Sequence, residues 1–136
     1  MERVAVIGQT TARPTKLERQ RLSLGTDDMV ARIVRIRYWN KRPQALERIS
    51  LPLRCFPSIG GDADIAWDLH EFARRHGVAL GMARERISNV RATETVAVHL
   101  AVSRGARLTR SDRIIFSADS VPLEWRVSFA VHSSTS

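Results

Sequence analysis

Lysine is almost missing from this basic chain. Of 22 cationic residues in 136, only Lys16 and Lys41 are lysine, which leaves 20 arginines. The formal net charge is +8, and a basic balance of this size raises the question of a nucleic-acid surface. Aromatic residues are scarce at 6%, so the chain lacks a platform on which bases would stack. The arginines are scattered, which reads as a solvated face. Cysteine is reduced to Cys55 alone, which excludes an internal disulfide and fits a reducing cytoplasm. Apolar runs are only a few residues long, so no segment spans a membrane. The start, "MERVAVIGQTT", has no charged region leading into an apolar stretch, and no signal peptide is expected.

Several chemistries are also unsupported. His70, His76, His99 and His132 have no metal-ligand spacing, because His70 and His76 are six apart where one helix face needs three or four. Cys55 has no His–acid partner nearby in sequence and reads as a structural thiol. Ser117, Ser120 and the tail "HSSTS" lack the glycines of a nucleophile elbow. No metal, cofactor or catalytic residue is expected.

What remains is a globular composition, 43% hydrophobic, of a length that builds one core. Alternation sets a first short strand at 4–9. A short helical stretch within "TKLERQRLSLGTDD" closes near Gly25. From Val30 to Trp39 apolar and cationic positions alternate, which is a strand. "NKRP" is a turn, Gln44 to Leu51 the returning strand, and "PLRCFP" a helical turn between prolines. Asp62 or Asp64 caps a helix reaching His76, with Ile65, Leu69, Phe72 and His76 as its buried stripe. Gly77 closes that helix in the left-handed conformation. A strand from Gly81 to Arg91 precedes a second helix in "ATETVAVHLAVSRG", with Thr93 as N-cap and Gly105 just past the end. "ARLTRSDRIIFSADS" and "VPLEWRVSFAVH" are two further strands turning at Asp119–Ser120. Tight connections imply antiparallel pairing and an α+β class.

One constellation stands out. Arg35 and Arg37 share a strand face, because side chains alternate with period two. A turn centred near Lys41–Arg42 brings Glu47 roughly opposite Arg37 on that face. Two guanidiniums side by side repel unless an anion lies between or above them. Glu47 can neutralise one, and a ligand carboxylate or phosphate could take the other through a bidentate fork. Spacing alone favours an exposed cross-strand ion pair of little energetic worth.

"VARIVRIRYWNKRPQALERISLPLRCFP" resembles the opening of the UTRA domain, the effector-binding domain of the HutC branch of GntR-family transcription regulators. "WDLHEFARRHG" lies where that family has its "SLY" helix. "ISNVRATETVAVHLAVSRGARL" and "SADSVPLEW" resemble two later motifs, in the family's order and spacing. The resemblance covers about residues 20 to 132 of one domain spanning 1–136. It implies a chorismate-lyase-like fold, a six-stranded antiparallel sheet with helices packed against it, and a ligand pocket over the sheet. It implies that Arg35 and Arg37 bind an anionic group of the effector, and that Glu47 and Glu124 contact its hydroxyls or amines. The family's phosphate-binding serine falls on Trp67, the next polar position on Leu69, and a pocket tyrosine on Ala130. This makes a hexosamine phosphate a poor fit, and an organic acid or amphipathic anion a better one. The family reads DNA through an N-terminal winged helix-turn-helix that this chain does not contain. The expected protein is therefore a non-enzymatic, cytoplasmic sensor of a small anion, a homodimer acting on DNA only through a separate head. A chorismate-lyase-like enzyme acting on a carboxylated small molecule is the alternative.

Overall fold

The computed structural model describes residues 1–57, 68–75 and 77–132. In chain order the elements are β1 (Glu2–Ala12), α1 (Lys16–Leu22), β2 (Val30–Trp39), β3 (Arg42–Pro52), α2 (Leu69–Arg75), β4 (Leu80–Arg91), α3 (Glu94–Leu100), β5 (Arg107–Ser117) and β6 (Pro122–Val131). The six strands form one sheet in the order β1-β2-β3-β6-β5-β4, and every neighbouring pair is antiparallel. The α+β class and the six-stranded sheet with helices against it are as the sequence implied.

Period-two alternation gives the sheet two faces with different coverings. On one face, Ile36, Leu46 and Leu108 meet Val96, Ala97 and Leu100 of α3. Towards the other end of that face, Leu22 and Leu24 at the end of α1 pack with Val30 and Trp125. The opposite face buries Ala31, Ile33, Ile49, Leu51 and Ile115 beneath Phe56 and Leu69 of α2. Further along β2 and β3 on this same face the apolar residues give way to Arg35, Arg37 and Glu47.

Local chemistry explains most element ends. Thr15 and Glu18 cap α1 reciprocally, satisfying two backbone donors that the first turn leaves free. Thr93 caps α3 through its hydroxyl, as its place in the sequence implied. Gly77 is left-handed at φ 68°, and the adjoining Val78 amide bonds to the Ala73 carbonyl. Other ends differ from expectation. α3 stops at Ala101, itself left-handed at φ 55°, well before Gly105. The Gly105 amide instead bonds to the Ala92 carbonyl, and the Ala106 carbonyl accepts from Ala92, which closes the start of β5 onto the end of β4. α2 is capped by Asp68, whose side chain accepts from the His70 and Glu71 amides. Asp62, Asp64, Ile65 and His76 lie outside the described residues.

The β2–β3 turn also corrects the register. Asn40 and Lys41 both have positive φ, 49° and 69°, as a two-residue hairpin loop of the primed type requires. The turn is thus centred on Asn40–Lys41, one residue earlier than expected. A register shift follows at Arg37/Tyr38, so Glu47 is the direct partner of Arg35 and Ala45 that of Arg37.

Candidate anion-binding site

Glu47 is the hub of the charged region. Its Oε1 accepts from Nε of Arg35 at 2.6 Å, and its Oε2 accepts from Nε of Arg37 at 3.1 Å. A third guanidinium, that of Arg126 on β6, stands 3.6 Å from the same Oε2. The expected pairing of Glu47 with Arg37 alone is therefore replaced by one carboxylate shared among three arginines. Antiparallel geometry explains this, since a residue meets both its direct cross-strand partner and the diagonal neighbours. Arg35 is 1% exposed, so this is no surface ion pair. Arg37 is about a third exposed and also donates to Glu2 at 2.9 Å.

The protonation states follow from the same contacts. Burial by itself would raise the pKa of Glu47, but Arg126, Arg35 and Arg37 outweigh it and hold the carboxyl below its usual value. For Arg35 burial dominates and lowers the pKa, with Glu47 opposing it and the charges of Arg126 and Arg37 adding to it. For Arg37 burial also acts downwards, but Glu47 and Glu2 prevail and raise it. Glu47 is thus ionised near neutral pH.

Above this cluster lies a cavity of ≈ 340 Å³. Arg35, Arg37, Arg113 and Arg126 line it, together with the apolar Val4, Leu69 and Ile115. Asp68 and His70, at the start of α2, complete the wall. Four guanidiniums on three strands converge on one space, which suits an anion with an apolar part.

Of the residues singled out in the sequence, Arg35, Arg37 and Leu69 line the cavity. Glu47 lies beneath the arginines, and Glu124, wholly buried, accepts from Nε of Arg126 at 2.7 Å. Both carboxylates position arginines. Ala130 is not among the cavity's lining residues; it pairs with Ala45 and Thr109 farther along the sheet. Trp67 lies outside the described residues. Arg113 and Arg126, which also line the cavity, are not among the residues singled out in the sequence. Their alternation on β5 and β6 was legible, but their facing Arg35 depends on strand order.

A second cavity of ≈ 340 Å³ opens on the opposite face, walled by Leu17, Val34, Trp125, Val127 and Phe129. Glu18, Arg32 and Ser50 border it, whereas Arg35, Arg37, Glu47, Leu69, Glu124 and Ala130 do not. Nearby, Arg32 grips Glu18 with two nitrogens and Ser50 donates to the same carboxylate. Burial would raise the Glu18 pKa, but these bonds and one from the Thr15 amide lower it to about 2. Among the described residues no three potential metal ligands come together, and no helix is long and apolar enough to cross a membrane.

Comparison with known proteins places this geometry in context. The family model described as the UTRA domain matches residues 3–135. No curated protein sequence matches the chain. A GntR-family transcriptional regulator from Enterococcus faecalis V583 superposes with a TM-score of 0.90 at 23% identity, covering 98% of this chain and 96% of that one. The effector domain of PhnF from Mycobacterium smegmatis gives a TM-score of 0.90 at 17% identity, covering 96% and 81%. In the longer PhnF chain, at 17% identity and a TM-score of 0.89, the match covers 96% of this chain but 58% of that one. Identities this low establish a shared fold.

Proposed function

From the premise that this chain belongs to the UTRA domain family, we propose that it is the effector-sensing domain of a GntR-family transcription regulator, and that its effector is a small anion. The observation that carries the choice of ligand is the buried cluster of Arg35, Arg37 and Arg126 around Glu47, open on one side to a cavity that Arg113 also lines. A protein gains little stability from burying like charges around one carboxylate. A ligand anion arriving from the cavity side finds preorganised donors and relieves their mutual repulsion.

The reading is of a binding site and not a catalytic one. Its central carboxylate is held ionised by its neighbours, so it has no proton to donate near neutral pH, and general acid catalysis needs a carboxyl tuned the other way. The domain acts in the cytoplasm as a symmetric pair, each copy attached to a DNA-reading head, and the bound anion biases how the heads meet a palindromic site. The isolated domain binds DNA weakly and without sequence preference.

A thermal-shift screen with inorganic phosphate and small organic acids tests the site. A true ligand at a hundredfold excess over its dissociation constant adds about 2.7 kcal/mol of stability. Arg37→Ala removes a charge-assisted contact and weakens binding roughly ten- to a hundredfold. A screen in which no anion stabilises the domain, or an Arg37→Ala variant with unchanged affinity, would overturn the assignment.

A further inference from the structure

The arginines around the cavity are not equally provided for. Glu47 serves Arg35 and Arg37, and Glu124 with Glu47 serves Arg126. Arg113 on β5 is the direct cross-strand partner of Arg126, which sets two like charges side by side, an unfavourable pairing unless an anion joins them. Its Nε is buried and has no hydrogen-bond partner among the described residues. The carboxylate across from it on its other side, Glu85 of β4, accepts instead from the Ser111 hydroxyl at 2.7 Å. A buried donor aimed at nothing costs on the order of 1–3 kcal/mol. Such a group in a ligand cavity marks where a ligand acceptor belongs.

Position matters as much as charge. Arg37 stands on β2 and Arg113 on β5, with β3 and β6 between them. Arg37 is level with Thr109 on β5, and Arg113 lies four residues farther along that strand; at about 4.8 Å per strand and about 3.3 Å per residue their backbones are roughly 20 Å apart, too far for one carboxylate or phosphate to engage both guanidiniums in forked geometry. Arg126 of β6 stands between them, and Leu69 and Ile115 give the same cavity an apolar wall at the end towards α2. Four guanidiniums face Glu47 and Glu124, buried among them, and the more exposed Glu2, which pairs with Arg37 at 2.9 Å, so among the described residues the charge without a carboxylate is that of Arg113; Asp68 at the rim is turned to the α2 amides.

We propose that Arg113 is a second anion subsite, and that the effector is a doubly acidic small molecule: one acid group at Arg37, the second at Arg113, and a hydrocarbon spacer joining them within the cavity whose apolar wall is Leu69 and Ile115. This rests on the reading of the cavity as the effector site and narrows it to one ligand class, with carboxylate or phosphate possible at either end.

Calorimetric titration of the chain with succinate, glutarate, adipate and pimelate, with the monoacid butyrate, and with phosphoglycolate and inorganic phosphate provides the test. At least one diacid is expected to bind about tenfold or more tighter than butyrate, with an optimum in spacer length. If phosphoglycolate exceeds every dicarboxylate, one end is a phosphate site. Arg113→Gln is expected to abolish the preference for the diacid while leaving the weaker butyrate binding in place, and Arg113→Lys to restore part of it. Loss of an unpaired buried donor leaves the melting temperature equal or higher, so misfolding would not imitate this result. A diacid-to-monoacid ratio unchanged in Arg113→Gln, alongside binding that Arg37→Ala abolishes, overturns the second subsite and leaves the anion site standing. Absence of binding by every probe overturns both.

Discussion

Glu47→Gln is the most informative single change in this molecule. The substitution keeps the shape of the side chain and removes its charge. It replaces one acceptor oxygen with an NH₂ group that faces guanidinium donors. Arg35, 1% exposed, then loses the carboxylate that bonds to it at 2.6 Å, and Arg126 loses one of its two carboxylate contacts. Breaking a buried pair from one side typically costs about 3–5 kcal/mol, because the remaining charge stays desolvated. For a domain whose whole stability lies at about 5–15 kcal/mol, that is a large share. Urea unfolding followed by circular dichroism reads it directly: with a slope of about 1–3 kcal/mol per molar, the midpoint drops by roughly 2 M. Saturating anion should restore more stability to the variant than to the wild type, since it supplies the missing negative charge. A loss below about 1 kcal/mol would place the Arg35–Glu47 pair among solvent-screened pairs and refute the claim that Glu47 holds Arg35 in a dry site.

Other outcomes follow from the same structure. Glu18 is buried and ionised with a pKa lowered to about 2 from 4.5, so its contribution, on the order of 3 kcal/mol, is complete above pH 4.5 and is lost as pH falls towards 2; Glu18→Gln should flatten that acid limb of the stability profile. Thr93→Ala removes the hydroxyl that caps α3 and should cost about 1 kcal/mol in chemical denaturation. Gly81→Ala would drive a methyl group into the Ser117 backbone, lowering the melting temperature by an amount that reflects about 1–3 kcal/mol of strain while leaving anion affinity unchanged. Sedimentation equilibrium should find a dimer, and a monomer at all concentrations would count against the two-fold arrangement proposed for the domain.

Much of this protein was decided locally. The bounds of β2 coincide with the alternating run from Val30 to Trp39, because a strand with one face in the core repeats its side chains with period two. Thr93 and Gly77 act as local stereochemistry requires, one by accepting an amide bond, the other by adopting a positive φ. That Arg35, Arg37 and Glu47 would share a face was equally legible, since it needs only a hairpin. Which arginine Glu47 meets was not, because register turns on a single residue: two positive φ angles at Asn40 and Lys41 and a shift at Arg37/Tyr38 move the carboxylate from opposite Arg37 to opposite Arg35. Nor could the chain alone reveal that Arg113 and Arg126 join the site. They stand more than 70 residues from Arg35 in sequence, and only the order β2-β3-β6-β5 turns two unremarkable strand arginines towards the same cavity. Alternation is a property of each strand by itself, whereas the convergence of charges is a property of the neighbours that strand acquires when the sheet assembles.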